Sequence, residues 1–173
     1  MENLKAIIEA MIFAAEQPLS LDRIHEILPE LEKAELSRVI EIMTNECREM
    51  GRGIVLAQVA GGFQFRTRED LNAWVKKSRA SRPASLTVAS LETLAIVAYR
   101  QPIVKAEIER LRGVDATAPL RGLLEKKLVR IVGRKDVPGK PIIYGTTRRF
   151  LEVFGLNDLS ELPTLRELKD MEG

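Results

Sequence analysis

Gly133-Arg-Lys-Asp-Val-Pro-Gly-Lys-Pro-Ile-Ile-Tyr-Gly-Thr-Thr147 lies between an apolar run, Leu128 to Val132, and an aromatic run, Phe150 to Phe154. Pro138-Gly139 supplies turn chemistry, because proline pre-sets φ at the first corner and glycine tolerates positive φ at the next. Pro141 has no N–H to give a central ladder, so it marks the start or edge of a returning strand. The stretch therefore reads as strand, basic loop, strand.

Upstream, three helical segments lead into it: Leu91 to Arg100, Lys105 to Arg112, and about Ala116 to Lys127. Three helices followed by a basic hairpin and a closing helix make a winged helix-turn-helix domain. The first half carries the same order. Leu4, Ile7, Ile8, Met11, Ile12 and Ala15 have amphipathic helical spacing, and Gln17-Pro18 ends that helix. Ser20 is an N-cap for a short helix through Ile24, Ile27 and Leu28, closed by Pro29. Leu36, Val39, Ile40, Met43, Cys47 and Met50 form the stripe of a third helix, and Gly51 and Gly53 stop it. Ile54 to Val59, Gly61-Gly62 and Phe63 to Thr67 read as a hairpin. Leu71, Trp74 and Val75 are expected on the inner side of a closing helix, with Trp74 opposite Phe63 and Phe65.

The two halves align. Ile12-Phe-Ala-Ala-Glu-Gln-Pro18 matches Ile96-Val-Ala-Tyr-Arg-Gln-Pro102, and Thr67, Leu71 and Trp74 fall on Thr147, Leu151 and Phe154. A repeat this long signals tandem domains rather than a solenoid. The fold class is thus mainly α with small β-hairpins: two tandem winged helix-turn-helix domains, residues 1–78 and 86–156. Residues 79–85 form a linker, and an acidic tail covers 157–173. Domains this small are near the lower limit for a self-sufficient core, so dimerisation or a partner is expected. Leucines recur in the tail at Leu156, Leu159, Leu162, Leu165 and Leu168, interrupted by Pro163, which suggests two short segments strapped over a domain.

The net charge of +2 conceals an asymmetry. Residues 1–78 hold 10 Lys/Arg against 13 Asp/Glu, residues 90–155 hold 13 against 7, and residues 156–173 hold 2 against 5. Excess basic charge therefore lies in the second half, as a polyanion or an acidic partner would require. The apolar runs are far short of the ~20 residues of a membrane span, and the start lacks the features of a secretory signal. With Cys47 the one cysteine, no disulfide forms within the chain. A soluble cytoplasmic protein is expected.

Catalysis finds little support. His25, the one histidine, stands among Asp22, Arg23 and Glu26 on a short helix and reads as a surface or cap residue. Cys47 belongs to an apolar stripe. One His and one Cys do not make a Cys/His zinc site, no Gly-Lys-Ser/Thr phosphate loop occurs, and Glu107 and Glu109 do not share a helix face. No cofactor or metal is expected. Arg121, Lys126, Lys127, Arg130, Arg134, Lys135 and Lys140 could neutralise phosphates, the polyanion candidates being Arg121, Lys126, Arg134, Lys135 and Lys140. Yet Ala116-Thr-Ala-Pro-Leu120 offers no Arg, Asn or Gln to read bases, and the third helix of the first half has mixed charge. Sequence-specific DNA binding is not expected, and any backbone binding would be weak. Protein interaction fits better. Ile96, Val97 and Tyr99 add a second apolar stripe beside Leu91, Leu94, Ala95 and Ala98, and Phe13 and Ile42 stand off the core stripes of the first half.

Several stretches resemble the segregation and condensation protein B family: Leu94-Ala-Ile-Val-Ala-Tyr-Arg-Gln-Pro-Ile103, Glu107-Ile108 with Arg112-Gly113-Val114, Gly133 to Pro141, and Tyr144-Gly-Thr-Thr147. Phe150-Leu151, Phe154-Gly-Leu156, Ala60-Gly-Gly-Phe63 and Leu159 to Pro163 extend the resemblance over essentially the whole chain. Val114 to Pro119 departs from the family pattern, where a more polar helix entry is expected. The resemblance implies tandem winged-helix domains, a homodimer formed through the N-terminal domains, and no catalysis. It further implies that the C-terminal domains grip the kleisin subunit, segregation and condensation protein A, which bridges the SMC ATPase, in the cytoplasm at the nucleoid. On that implication the kleisin-binding candidates are Leu91, Ile96, Tyr99 and Arg100. The alternative is a winged-helix protein whose basic second domain binds DNA directly.

Overall fold

The computed structural model describes residues 2–78, 85–164 and 167. The chain is mainly helical with two small antiparallel sheets, and it divides into two compact units: Met1–Arg82 with Gly155–Gly173, and Pro83–Phe154. Most of the expected linker (residues 79–84) lies outside the described residues, as do the tail leucines Leu165 and Leu168.

In the first unit α1 (Glu2–Ala14), α2 (Leu21–Ile27) and α3 (Lys33–Glu49) precede a hairpin of β1 (Ile54–Val59) and β2 (Gly62–Thr67), then α4 (Asn72–Ser78). Ser20 caps α2 as its position suggests: its hydroxyl oxygen accepts from the Arg23 N–H at 3.2 Å. Ile8 and Ile12 from α1, Ile24 from α2, Leu36, Val39, Ile40 and Met43 from α3, and Leu56 from β1 form one buried cluster. Burying each such side chain contributes about 1.5–3 kcal/mol. Cys47 is buried on the same α3 stripe.

The hairpin turn is Ala60-Gly61, both at positive φ (50° and 69°), rather than the Gly61-Gly62 pair expected from sequence. Gly62 has another task. A Cβ there would lie 2.7 Å from the Pro18 carbonyl oxygen, so only glycine lets the returning strand approach the end of the first helix. Leu19 and Phe63 then exchange two backbone hydrogen bonds of 2.9 Å. The exposed side of the turn is met by the segment after Gly155. The Ala60 N–H donates to the Leu156 carbonyl at 2.8 Å, and the Gly61 N–H donates to Asn157 Oδ1 at 3.1 Å.

The second unit repeats the order with α5 (Val88–Arg100), β3 (Ile103–Val104), α6 (Lys105–Arg112), α7 (Thr117–Glu125), β4 (Val129–Arg134), β5 (Ile142–Thr146) and α8 (Arg148–Phe154). Strand order is β3-β5-β4, all antiparallel. The two-residue strand β3 pairs Ile103 with Tyr144, where the first unit has only the Leu19–Phe63 bridge. Val137 to Lys140 make the expected turn: the Lys140 N–H donates to the Val137 carbonyl at 2.9 Å, with Gly139 at φ 83°. At the entry to α7 Asp115 accepts from both the Thr117 N–H (3.0 Å) and hydroxyl (2.7 Å).

Trp74 departs from expectation. It is 70% exposed, and Lys77 Nζ sits 5.0 Å from its ring centroid. Comparison of the two closing helices gives the reason. In α8 the buried anchor is Phe150, 3% exposed, and its counterpart eighty residues earlier is Asp70, which pairs with Arg68 at 2.7 Å. The first unit has no aromatic anchor at that position; Leu71 and Val75 are half-buried, and α4 buries no residue fully. Trp74→Ala is accordingly expected to cost less than about 1 kcal/mol in denaturant unfolding. Leu36→Ala should cost about 2–5 kcal/mol. Gly62→Ala should cost about 1–3 kcal/mol, since a backbone carbonyl must move to admit the methyl.

Candidate interaction surfaces

Helix α5 is positioned at both ends. Thr87 Oγ1 accepts from the Ser90 N–H at 3.2 Å and caps its start. At its end Gln101 clasps the sheet: its Nε2 donates to Thr146 Oγ1 at 2.9 Å, and its Oε1 accepts from the Thr146 N–H at 2.8 Å. A Cβ on neighbouring Gly145 would lie 3.0 Å from Gln101 Oε1, so this joint too depends on close approach.

So held, α5 turns Thr93, Leu94, Val97 and Ala98 into the core. Val97, read from sequence as part of the second stripe, is fully buried. The outer face instead carries Val88 (73% exposed), Leu91 (45%), Ala95 and Tyr99 (39%), at i, i+3, i+7 and i+11. That spacing makes one continuous apolar stripe. Of the four sequence candidates, Leu91 and Tyr99 lie on this stripe, Arg100 is exposed beside it, and Ile96 is half-buried at its edge. Val88 and Ala95 complete the stripe without being among those four; Ala95 reads as apolar from sequence, and its i, i+7 spacing from Val88 was the signal available for Val88.

The basic candidates separate. Arg121 pairs with Glu125 on its own helix at 3.0 Å. At the β4–β5 turn Arg134 donates to the Lys140 carbonyl at 3.2 Å, and Lys135 reaches Glu107 at 3.4 Å. The Val104 N–H, and after it Lys135, hold the Glu107 carboxyl below the usual carboxylate range. Lys140 is exposed at the turn, whereas Lys126 stands at the far end of the sheet, after α7. The five are not one cluster.

The first unit has its own exposed apolar surface. Phe13 (78% exposed), Ile7 (40%), Ala6 and Ala10 occupy the outer side of α1. A shallow cleft of about 280 Å³ there is lined by Ala6, Glu9, Ala10, Phe13, Ile54 and Phe65. Ile42 on α3 is 46% exposed. His25 is half-buried, and its Nδ1 has no hydrogen-bond partner among the described residues. Among those residues no group of three or more His, Cys, Asp or Glu is placed to hold a metal ion, and no helix is long and apolar enough to cross a membrane.

Comparison with known proteins adds to this geometry. The family model described as "Segregation and condensation complex subunit ScpB" matches residues 6–165. Segregation and condensation protein B of Syntrophotalea carbinolica is 48% identical over 98% of this chain and 85% of that protein. The protein of the same name from Geobacillus kaustophilus is 46% identical over 97% of this chain and 78% of its own length. A solved dimer of a ScpB N-terminal domain complexed with an ScpA peptide is 38% identical, covering 44% of this chain and 94% of that chain, with a TM-score of 0.41.

The clasp at the end of α5 yields a direct test. Gln101→Ala leaves the buried Thr146 N–H without its partner, which should cost about 1–3 kcal/mol. Hydrogen exchange of the second unit's amides should report that loss, while amides of the first unit's core remain unaffected.

Proposed function

The chain belongs to the segregation and condensation complex subunit ScpB family, and from that premise we propose that it is a non-catalytic scaffold built of two tandem winged-helix domains. It dimerises and binds the kleisin subunit, segregation and condensation protein A. Through the kleisin it acts on the SMC ATPase that organises the chromosome, at the nucleoid. The observation that carries the binding role is the outer stripe of α5: Val88, Leu91, Ala95 and Tyr99 give a rigid helix an apolar face that the core does not use. A kleisin segment with apolar side chains at helical or alternating spacing would bury it. The outer side of α1, around Phe13, supplies an apolar face for self-association in the first domain. Small Ala6 and Ala10 beside Phe13 let a second copy approach closely.

Charged residues are depleted from interface cores, and rim charges chiefly tune association rate. Titration calorimetry of the full chain against the kleisin separates the surfaces. Leu91→Asp and Tyr99→Asp should each weaken binding by at least about 2 kcal/mol, the scale of a hot spot. The triple variant Arg134→Glu, Lys135→Glu, Lys140→Glu should keep most of the affinity. Circular dichroism should show both aspartate variants folded, since their side chains are outside the core. If the triple variant loses binding while the aspartate variants keep it, the grip is electrostatic and lies on the hairpin. Phe13→Asp should shift the chain toward monomer in sedimentation equilibrium at tens of micromolar, on the order of weak-dimer affinities, without changing its kleisin contact on α5.

A further inference from the structure

The second unit contains an unbalanced charge that the scaffold reading leaves unused. Six of the seven acidic residues in 90–155 sit in ion pairs, from Glu152 with Arg149 at 2.7 Å to Asp115 with Lys105 at 3.5 Å. The seventh, Asp136, is in the β4–β5 turn. Lys126, Lys127 and Arg130 make no ion pair with a carboxylate among the described residues, and all three are exposed.

The fold gathers these three at one place. Lys126 ends α7, and Lys127 follows in a left-handed conformation, φ 56°. The Thr147 hydroxyl donates to the Lys127 carbonyl at 2.6 Å, so the exit of α7 lies against the entry of α8, where Arg148 and Arg149 are exposed. Arg130, on β4, reaches the same place: its Nε donates to the Thr146 carbonyl at 3.3 Å. Five basic residues from three segments thus lie beside Thr146-Thr147 at the opposite end of the sheet from the hairpin turn, Arg149 among them being paired with Glu152 at 2.7 Å. The cations at that turn are partly engaged, Arg134 by the Lys140 carbonyl and Lys135 by Glu107.

We propose that this surface, formed by Lys126, Lys127, Arg130, Arg148 and Arg149, binds the sugar-phosphate backbone of nucleic acid without reading its sequence. Phosphate neutralisation needs only clustered cations, whereas an acidic protein partner would also need an apolar centre to bury. Sequence reading requires Arg, Asn or Gln presented to base edges. The first turn of α7 (Thr117, Ala118, Pro119) supplies none, and the patch stands at the other end of that helix. The contact is distinct from the apolar stripe of α5.

Fluorescence anisotropy of the full chain with a labelled random-sequence duplex tests this. Five phosphate contacts predict an affinity that falls roughly 500-fold between about 50 and 200 mM salt. The variant Lys126→Glu, Lys127→Glu, Arg130→Glu should bind at least ~10-fold more weakly than Arg134→Glu, Lys135→Glu, Lys140→Glu, which removes the same number of charges at the turn. Acetylation footprinting of the unmodified protein gives the same answer without a variant that could misfold: the duplex should protect Lys126 and Lys127 and leave Lys135 and Lys140 reactive. Absence of binding at the lowest salt overturns the proposal, as does protection at the turn instead of the base. Competition by poly-glutamate as strong as by unlabelled duplex would assign the patch to an acidic protein and overturn it equally.

Discussion

Both units depend on one close approach, between the segment that ends the first helix and the strand that returns from the hairpin. In the first unit the Pro18 carbonyl passes so near Gly62 that a Cβ there would meet it at 2.7 Å, and Leu19 and Phe63 are joined by paired backbone hydrogen bonds. In the second unit Gln101 clasps Thr146 through side chain and backbone, and Ile103-Val104 lengthens the bridge into a third strand. Both joints fall at a Gln-Pro pair, where the residue before proline is pushed out of the helical region and the chain turns toward the sheet. With that point fixed, the helices can enclose a core that includes Ile8 and Leu36 in one unit, or Leu94 and Ile108 in the other.

The same constraint determines which surfaces are left over. A first helix anchored at its end by the sheet, and on one side by the core, keeps its opposite side for other uses. In α5 that side is Val88, Leu91, Ala95 and Tyr99; in α1 it is Ala6, Ala10 and Phe13. Apolar residues on rigid helices bind with little ordering cost, which suits the proposed scaffold role. The basic charge of the second unit lies elsewhere, divided between the hairpin turn, where Lys135 pairs with Glu107, and the sheet base, where Lys126, Lys127 and Arg130 make no ion pair with a carboxylate among the described residues. Apolar and ionic surfaces are therefore separable by mutation and by salt.

Much of this was legible in the sequence. Helical spacing gave the buried stripes of α1 and α3, apart from Ile7 and Met50, which are exposed, and local chemistry gave Ser20 its cap and Pro138-Gly139 its turn. The offset repeat pointed to the common order of elements. What escaped depended on contacts distant in sequence. The turn at Ala60-Gly61 was displaced because Gly62 is needed against Pro18, a constraint invisible until the two segments meet. Trp74 is exposed because Asp70 stands where α8 has Phe150. Val97 and Tyr99 look equivalent in sequence, yet a rotation of two residues around α5 buries one and exposes the other. Among the basic residues, sequence gave the charges but not their partners. Glu107 and Glu125 had to be located before Lys126 and Arg130 could be told from Lys135 and Arg121.

The central claim is that a dimer holds the kleisin through apolar helix faces rather than through its basic hairpin. Mass measurement of the chain mixed with the kleisin, by sedimentation velocity over increasing salt, tests it most directly. Apolar burial is little affected by screening, whereas exposed charge pairs more than about 10 Å apart are largely screened by ~0.1 M salt. The account predicts a complex containing two copies of the chain that keeps its mass as salt rises to about 1 M, where the screening length is only ~3 Å. A chain that remains monomeric, or a complex that dissociates steadily as salt is added, would contradict it.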